Sequence, residues 1–187
     1  MYYKTHKPHS SSGFTLIELL MVVAIIVILV TGGVVSFSSY SRKQAVRQAA
    51  ETLKSNIRVA QNKALSEIGN PAALDSARLN YSVIVFNKNT SNYKIYRTVD
   101  AASCPNINTT NADLDTILGS NLYFANGTGG EIYPDCIFFK YGDGSASIPG
   151  NNNTSSSFKV MVQHPSFDSC IVTINKVGTI GDVACTQ

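Results

Sequence analysis

The first third of the chain carries a long apolar run. Twelve apolar residues follow one another from Leu19 to Val30, and only five residues interrupt the wider apolar segment from Phe14 to Val35. At about 1.5 Å per residue, 22 helical positions span roughly 33 Å, which is close to the thickness of a bilayer core. The pattern therefore predicts a transmembrane helix over residues 14–35.

Beyond this segment the apolar positions recur at steps of three or four, which is typical of a helix with one buried face. The positions are Val46, Ala50, Leu53, Ile57, Ala60, Ala64 and Ile68. Gly69, Asn70 and Pro71 follow, and these residue types commonly end a helix. We therefore predict one helix from about Phe14 to about Glu67, in which residues 36–68 form the amphipathic continuation.

The hydrophobic period changes to two from Leu79 onward, as expected for strands. The stretch YSVIVF, the turn-rich NKNTSN and the stretch YKIYRTV predict a β-hairpin. Further strand candidates are 117–124, 131–141, 158–164, 170–175 and a partner after Gly178, separated by polar loops at 105–113, 125–130 and 150–157. Residues 69–187 are thus predicted to form a β-rich globular domain. The fold class is α+β, an antiparallel sheet packed on the long helix.

Charge is unevenly distributed along the 187 residues. Residues 1–13 are polar, contain Pro8 and end in three serines and a glycine, so we interpret them as a leader peptide. Residues 42–63 hold six basic side chains against Glu51 alone, a balance of +5, whereas residues 78–187 hold seven basic and eight acidic side chains. The basic segment could meet lipid headgroups or acidic neighbours, or could be a solvated face. The domain beyond it lacks the basic footprint of a nucleic-acid binder.

The four cysteines, Cys104, Cys136, Cys170 and Cys185, are too far apart in sequence to provide a CxxC zinc ligand pair. An even number beyond a membrane segment indicates two disulfides in an oxidising compartment, although four reduced thiols are the alternative. Three pairings are open. We favour Cys170 with Cys185, because both flank a hairpin turning near 175–178, and Cys104 with Cys136 by default. We expect no metal site.

Catalytic chemistry has little support in this sequence. His164 is the only histidine outside the leader, and no nucleophile or carboxylate pattern accompanies it. A histidine at a strand end beside Pro165 is more often structural than catalytic. We expect no enzyme activity and no cofactor.

The junction GFTLIELL closely resembles the signature of type IV pilins and type II secretion pseudopilins. The resemblance implies that a prepilin peptidase cuts after Gly13 and methylates the new amino terminus at Phe14. It also implies that Glu18 pairs with the terminal amine of a neighbouring subunit and sets register during assembly. A lone carboxylate in an apolar span costs about 2.5 to 3.5 kcal/mol, so Glu18 needs a cationic partner. A secretory signal peptide would have a shorter apolar run, and a simple anchor has no reason to keep Glu18.

The remainder is similar, more weakly, to the GspH/FimT family of minor pilins and pseudopilins, in particular FimU-like members. The similarity lies in YSVIVFNKNTSNYKIYR, FFKYGDGSA and CIVTINKVGTI. Some FimT-like members bind DNA through a basic Gly-Arg-x-Arg element in the last hairpin. Residues 178–182 of this chain read GTIGD and lack those cations, so DNA is not an expected partner.

These observations predict a minor pilin that primes or caps a type IV pilus. Before assembly it would cross the inner membrane once, with the leader in the cytoplasm and the globular domain in the periplasm. Its partners would be the prepilin peptidase, the major pilin and other minor pilins, and its final location the filament at the cell surface. The alternatives are a GspH-like pseudopilin of type II secretion and a DNA-binding competence pilin.

Overall fold

A computed structural model of the chain combines one long helix with two antiparallel sheets. It describes residues 13–66, with the backbone alone over 31–36, and residues 80–108, 112–125, 134–149, 156–166 and 168–186. Within these residues the elements are α1 (Leu16–Ser66), β1 (Tyr81–Phe86), β2 (Asn92–Thr98), β3 (Leu114–Ile117), β4 (Tyr123–Ala125), β5 (Cys136–Lys140), β6 (Ala146–Ser147), β7 (Ser157–Gln163), β8 (Ser169–Asn175) and β9 (Ile180–Cys185). The α+β class is confirmed. The predicted stop at residues 69–71 and most of the leader lie outside the described residues.

The chain divides into two compact units, the first ending at Tyr40 and the second beginning at Ser41. In the first unit, the side chains of residues 14–30 are exposed. In the second, the buried hydrophobic residues extend from Val46 to Ile174, so this unit has a core of its own. The predicted segments 1–13, 14–35, 36–68 and 69–187 stay predictions.

The second half of α1 buries the stripe that its sequence predicts. Six of the seven predicted positions are fully or almost fully buried, and the seventh, Ile68, lies outside the described residues. The buried positions are Val46, Ala50, Leu53, Ile57, Ala60 and Ala64. The larger residues among them fill the space between helix and sheets, and the Gly142 N–H donates to the Ala64 carbonyl at 3.2 Å. The helical period is therefore confirmed in this half.

The strands form a five-stranded sheet A, in the order β3-β2-β1-β5-β6, and a four-stranded sheet B, in the order β4-β7-β8-β9. Paired strands are antiparallel throughout both sheets. The predicted hairpin is confirmed as β1 and β2, with Tyr81 opposite Thr98 and Phe86 opposite Tyr93. Side chains from α1 and from both sheets form one hydrophobic core.

The single strand predicted over residues 117–124 is wrong. β3 ends at Ile117 and pairs with β2 in sheet A, whereas β4 begins at Tyr123 and pairs with β7 in sheet B. Between them, Gly119 and Asn121 have φ values of 129° and 61°. These conformations are incompatible with a continuous strand, so the chain leaves one sheet and enters the other.

The outer face of sheet A is covered by the segment that follows β2. Residues 99–108, which we call the cover loop, contribute Ala101, Cys104 and Ile107 to a second hydrophobic cluster. Its buried members are Val83, Val85, Tyr96, Cys136 and Phe138. The Tyr96 hydroxyl donates a hydrogen bond to the Ile107 carbonyl at 3.0 Å. The loop is therefore attached to the sheet by apolar contacts, a hydrogen bond and the disulfide described below.

Candidate processing and assembly site

The predicted cleavage site lies just before α1. Residues 13–15 have no regular structure, Phe14 is 83% exposed, and a Cβ built on Gly13 would meet no atom within 4 Å. The Gly13–Phe14 peptide bond is therefore not shielded by the described part of the chain. A requirement for glycine at this position would come from an enzyme that approaches the backbone, because packing within the described chain does not impose one.

Thr15 caps the amino terminus of α1. Its Oγ1 accepts a hydrogen bond from the Glu18 backbone N–H at 3.3 Å, and its carbonyl accepts bonds from the N–H groups of Glu18 and Leu19 at 3.1 and 3.2 Å. The spacing Thr-x-x-Glu is that of a capping box, a signal that our sequence analysis did not use.

Glu18 lies exposed in the first helical turn, where the helix dipole favours negative charge. An exposed carboxylate so close to Phe14 is available to a second chain. The proposed pairing with a neighbour's amine nevertheless stays a prediction.

The four cysteines form two disulfides. Cys104 is bonded to Cys136 and Cys170 to Cys185, which are the pairs favoured from the sequence. The first bond ties the cover loop to β5, and the second joins the adjacent strands β8 and β9. Both bonds therefore brace the sheet domain.

Two cations of the basic segment of α1 pair with acids of the sheet domain. The Lys54 ammonium lies 2.8 Å from an Asp182 carboxylate oxygen, and Lys63 lies 3.3 Å from Asp113, which Arg97 contacts at 2.9 Å. Lys54 is buried along its stem, with only its end reaching the exposed Asp182. The segment is thus partly neutralised within the chain. Sequence alone could not identify these pairs, because Lys54 and Asp182 are 128 positions apart.

Gln61 is a further connecting residue that the sequence analysis missed. Its side-chain amide donates to the Gly178 carbonyl at 2.8 Å and to the Gly144 carbonyl at 3.3 Å. A single helical side chain thereby binds the turn between β8 and β9 and the turn between β5 and β6. No sequence signal marks this role, since a glutamine on a helix usually faces solvent, whereas Gln61 is half-buried.

The Lys54–Asp182 pair leads to a prediction about acid stability. The hydrogen bond from Lys54, followed by the charges of Lys54 and Arg58, lowers the pKa of Asp182 below its ordinary value of about 3.9. A carboxyl whose pKa is lower in the folded state stabilises the fold above the unfolded pKa, and this contribution is lost as pH falls through the folded pKa. We therefore expect Lys54→Met to raise the Asp182 pKa and to reduce the loss of stability below about pH 4. Carboxyl NMR titration measures the first effect and acid denaturation the second.

The matched control is Lys43→Met. Lys43 is exposed on the same helix, and within the described residues the ion pair of Asp182 is with Lys54. An equal rise of the Asp182 pKa in both variants would contradict the assigned contact and indicate only a general effect of net charge.

Other side chains considered from the sequence have local structural contacts. His164 Nδ1 accepts a hydrogen bond from the Ser166 N–H at 3.1 Å in a tight turn. One Asp143 oxygen accepts bonds from the Ser145 N–H and hydroxyl at 2.9 and 2.7 Å, which lower the Asp143 pKa. Among the described residues, no cluster of three or more histidine, cysteine or acidic side chains could hold a metal ion.

Over the part of the chain that the structure describes, no helical stretch meets the combined requirements of length and apolarity for a membrane span.

Comparison with known families gives one match. Residues 8–34 match the prokaryotic N-terminal methylation motif, which covers 27 of the 187 residues and includes Gly13, Phe14 and Glu18. No significant match to a curated protein or to a solved structure was found. The motif implies processing by a prepilin peptidase and assembly with other pilins. Together with the helix packed on antiparallel sheets, it supports a type IV pilin or pseudopilin.

Proposed function

We propose that this chain is a minor pilin that is incorporated into a type IV pilus and primes or caps its growth. The precursor is anchored in the inner membrane by residues 14–35, loses residues 1–13 and becomes methylated at Phe14. Its work is assembly with other subunits, without catalytic turnover. The observation that carries this proposal is the methylation motif at residues 8–34, followed by a separate folded domain.

The sheet domain supports a role at an exposed end of a filament. Two disulfides brace loops and an edge strand, each typically contributing about 2 to 4 kcal/mol to stability. Such bonds persist in the periplasm and outside the cell. The resemblance of the three strand segments to GspH/FimT and FimU-like proteins favours a minor subunit over a major one.

A GspH-like pseudopilin of type II secretion is the alternative within the same group. The methylation motif is common to both, so the location of the processed chain has to distinguish them. A competence pilin that binds DNA is disfavoured, because residues 178–182 lack the expected cations and Asp182 among them is paired with Lys54.

The test is mass spectrometry of sheared surface filaments beside the inner-membrane fraction. We expect the sheared fraction to contain a low-abundance peptide that begins at Phe14 and carries one methyl group, together with a major pilin. Processed chain confined to the membrane fraction would favour the secretion pseudopilin. Retention of residues 1–13 in both fractions would overturn the assignment to either group.

Gly13→Val is the corresponding variant. We expect it to retain the leader and to disappear from the sheared fraction, because a branched side chain obstructs the approach of the peptidase to the backbone. The exposed position of Gly13 predicts that the sheet domain folds normally, which the presence of both disulfides would verify. Normal processing of Gly13→Val would contradict the assigned cleavage site.

A further inference from the structure

β9 is an open edge of sheet B among the residues that the structure describes, since it pairs with β8 alone. The Thr186 N–H donates to the Ser169 carbonyl, and the Cα atoms of Cys170 and Cys185 lie 4.0 Å apart. Close Cα atoms mark a pair of residues that do not hydrogen-bond to each other in an antiparallel ladder. Cys185, and Val183 two positions earlier, therefore direct their backbone N–H and C=O groups away from β8.

The same strand runs alongside α1. Gln61 contacts Gly178 just before β9, and Lys54, two helical turns earlier, contacts Asp182 within it. Seven helical residues rise about 10 Å, and four strand residues span about 13 Å. The two contacts therefore run in opposite directions along α1 and β9. Continued by three strand residues, about 10 Å, this course brings Cys185 toward the helical turn of Arg47, a further seven positions back.

Exposed cations line the flank of α1 that faces this strand. Lys43, Arg47 and Arg58, which we call the basic flank, are exposed, and helical spacing places them beside Lys54. Arg58 acts on the Asp182 carboxylate through its charge. For Lys43 and Arg47 no ion pair is found within the described ranges, and Glu51 is the one acidic side chain of residues 41–66.

We propose that the β9 edge and the basic flank together bind an extended, acidic segment of a neighbouring protein chain. The segment adds to sheet B as a further strand, hydrogen-bonding to the outward backbone groups of Val183 and Cys185. Because strand side chains alternate between faces, every second side chain faces α1. Acidic residues at those positions meet Arg47 and Arg58.

The observations favour a strand over a phosphate-bearing ligand. A phosphate polymer would use the cations but not the two pairs of outward backbone groups. Edge strands are usually blunted against pairing, and the bulge between Val172 and Ile174 distorts the start of β9. The part from Val183 to Cys185 is nevertheless in regular register with β8. This surface lies wholly in the second unit, so the proposal does not rest on the proposed processing or on pilus assembly.

The experiment uses the full chain in nonionic detergent and a capped probe peptide of about seven residues that alternates threonine and glutamate. Amide hydrogen exchange by NMR follows the Val183 and Cys185 N–H groups. We expect the probe to slow their exchange, and 0.5 M salt to weaken the effect. Two matched probes separate the contribution of charge from the contribution of strand pairing. One carries lysine for glutamate, and the other keeps glutamate but is N-methylated at alternate amides, so that it cannot add as a strand.

The variant pair is Arg47→Gln with Arg58→Gln, compared with Thr52→Glu with Val59→Glu. Both double variants change the net charge by −2, but Thr52 and Val59 are exposed on the other flank of the helix. We expect the first to bind the glutamate probe about fivefold more weakly, because two exposed ion pairs are lost. The second double variant should weaken binding of the glutamate probe by less than half as much.

Several outcomes would overturn the proposal. If the probe leaves the amide hydrogen exchange of Val183 and Cys185 unchanged, strand addition is excluded. Strand addition is also excluded if the N-methylated probe binds as tightly as the unmethylated one. If the two double variants weaken binding of the glutamate probe equally, overall charge alone attracts the peptide. Tighter binding of duplex DNA, or of micelles containing phosphatidylglycerol, through Arg47 and Arg58 would identify the flank as a phosphate site instead.

Discussion

Gly178→Ala is expected to lower the free energy of unfolding by about 3 kcal/mol. Gly178 has a φ of 87°, a conformation that costs a residue with a Cβ about 1 to 2 kcal/mol. The added methyl group would also overlap the Gln61 amide and the Gly144 carbonyl oxygen. The amide can move, but the carbonyl belongs to the backbone of a neighbouring turn, so that turn has to shift away from position 178. Chemical denaturation in nonionic detergent measures the loss.

Two other glycines separate backbone strain from steric overlap. Gly119 has a φ of 129°, but a Cβ there would meet only Leu122 at 3.9 Å, so Gly119→Ala should cost about 1 to 2 kcal/mol. Gly181, in the same hairpin as Gly178, has ordinary φ and a nearest contact at 3.4 Å, so its alanine variant should cost less than about 1 kcal/mol. If Gly178→Ala and Gly119→Ala lowered the free energy of unfolding equally, the overlap with Gly144 would be contradicted.

Gln61→Ala completes the test. It removes the two hydrogen bonds from the helix to the turns, and it also removes one of the two groups that the new methyl would overlap. The losses of unfolding free energy in the single variants Gln61→Ala and Gly178→Ala should therefore add up to more than the loss in the double variant. Simple additivity would show that the helix and the turn are not coupled through Gln61.

Features set by neighbouring residues could be predicted from the sequence. The stripe from Val46 to Ala64 depends on the helical period, and the β1–β2 hairpin depends on alternation on both sides of a turn. Both are confirmed. The division into two sheets could not be predicted, because it depends on which distant strands β3 and β4 pair with. The apolar pattern from Ile117 to Phe124 suits a strand locally, and only the conformations of Gly119 and Asn121 reveal the break.

The candidate site shows the same limit. Gly13, Phe14 and Glu18 stand in a short contiguous motif, and the family match at residues 8–34 recovers it directly. The contacts that position β9 on the helix join residues more than a hundred positions apart, such as Gln61 with Gly178 at a separation of 117. No local pattern marks these residues, since their side chains are of types common on solvated helices and turns. The surface proposed for partner binding was therefore visible only after folding.

Removal of the Cys104–Cys136 disulfide by Cys104→Ala with Cys136→Ala is expected to cost about 3 to 4 kcal/mol. The bond spans 32 positions, and closing a loop of that length removes much of the conformational freedom of the unfolded chain. We also expect a local effect in the folded state. The cover loop would then be held by its apolar contacts and by hydrogen bonds such as those of Tyr96 and the one from Asn80 to the Val99 carbonyl. Opening of the loop would expose Val83, Val85 and Phe138.

The control is removal of the Cys170–Cys185 disulfide, which spans only 15 positions and should cost about 3 kcal/mol. Because this bond holds β9 to β8, its loss should loosen the end of β9 without uncovering sheet A. Limited proteolysis within residues 99–108 and binding of a hydrophobic dye distinguish the two variants, since only the first should show both at temperatures well below unfolding. Equal protection of the cover loop in the two variants would mean that the Tyr96 hydrogen bonds and apolar contacts hold it in place, and that the Cys104–Cys136 bond acts on the unfolded chain alone.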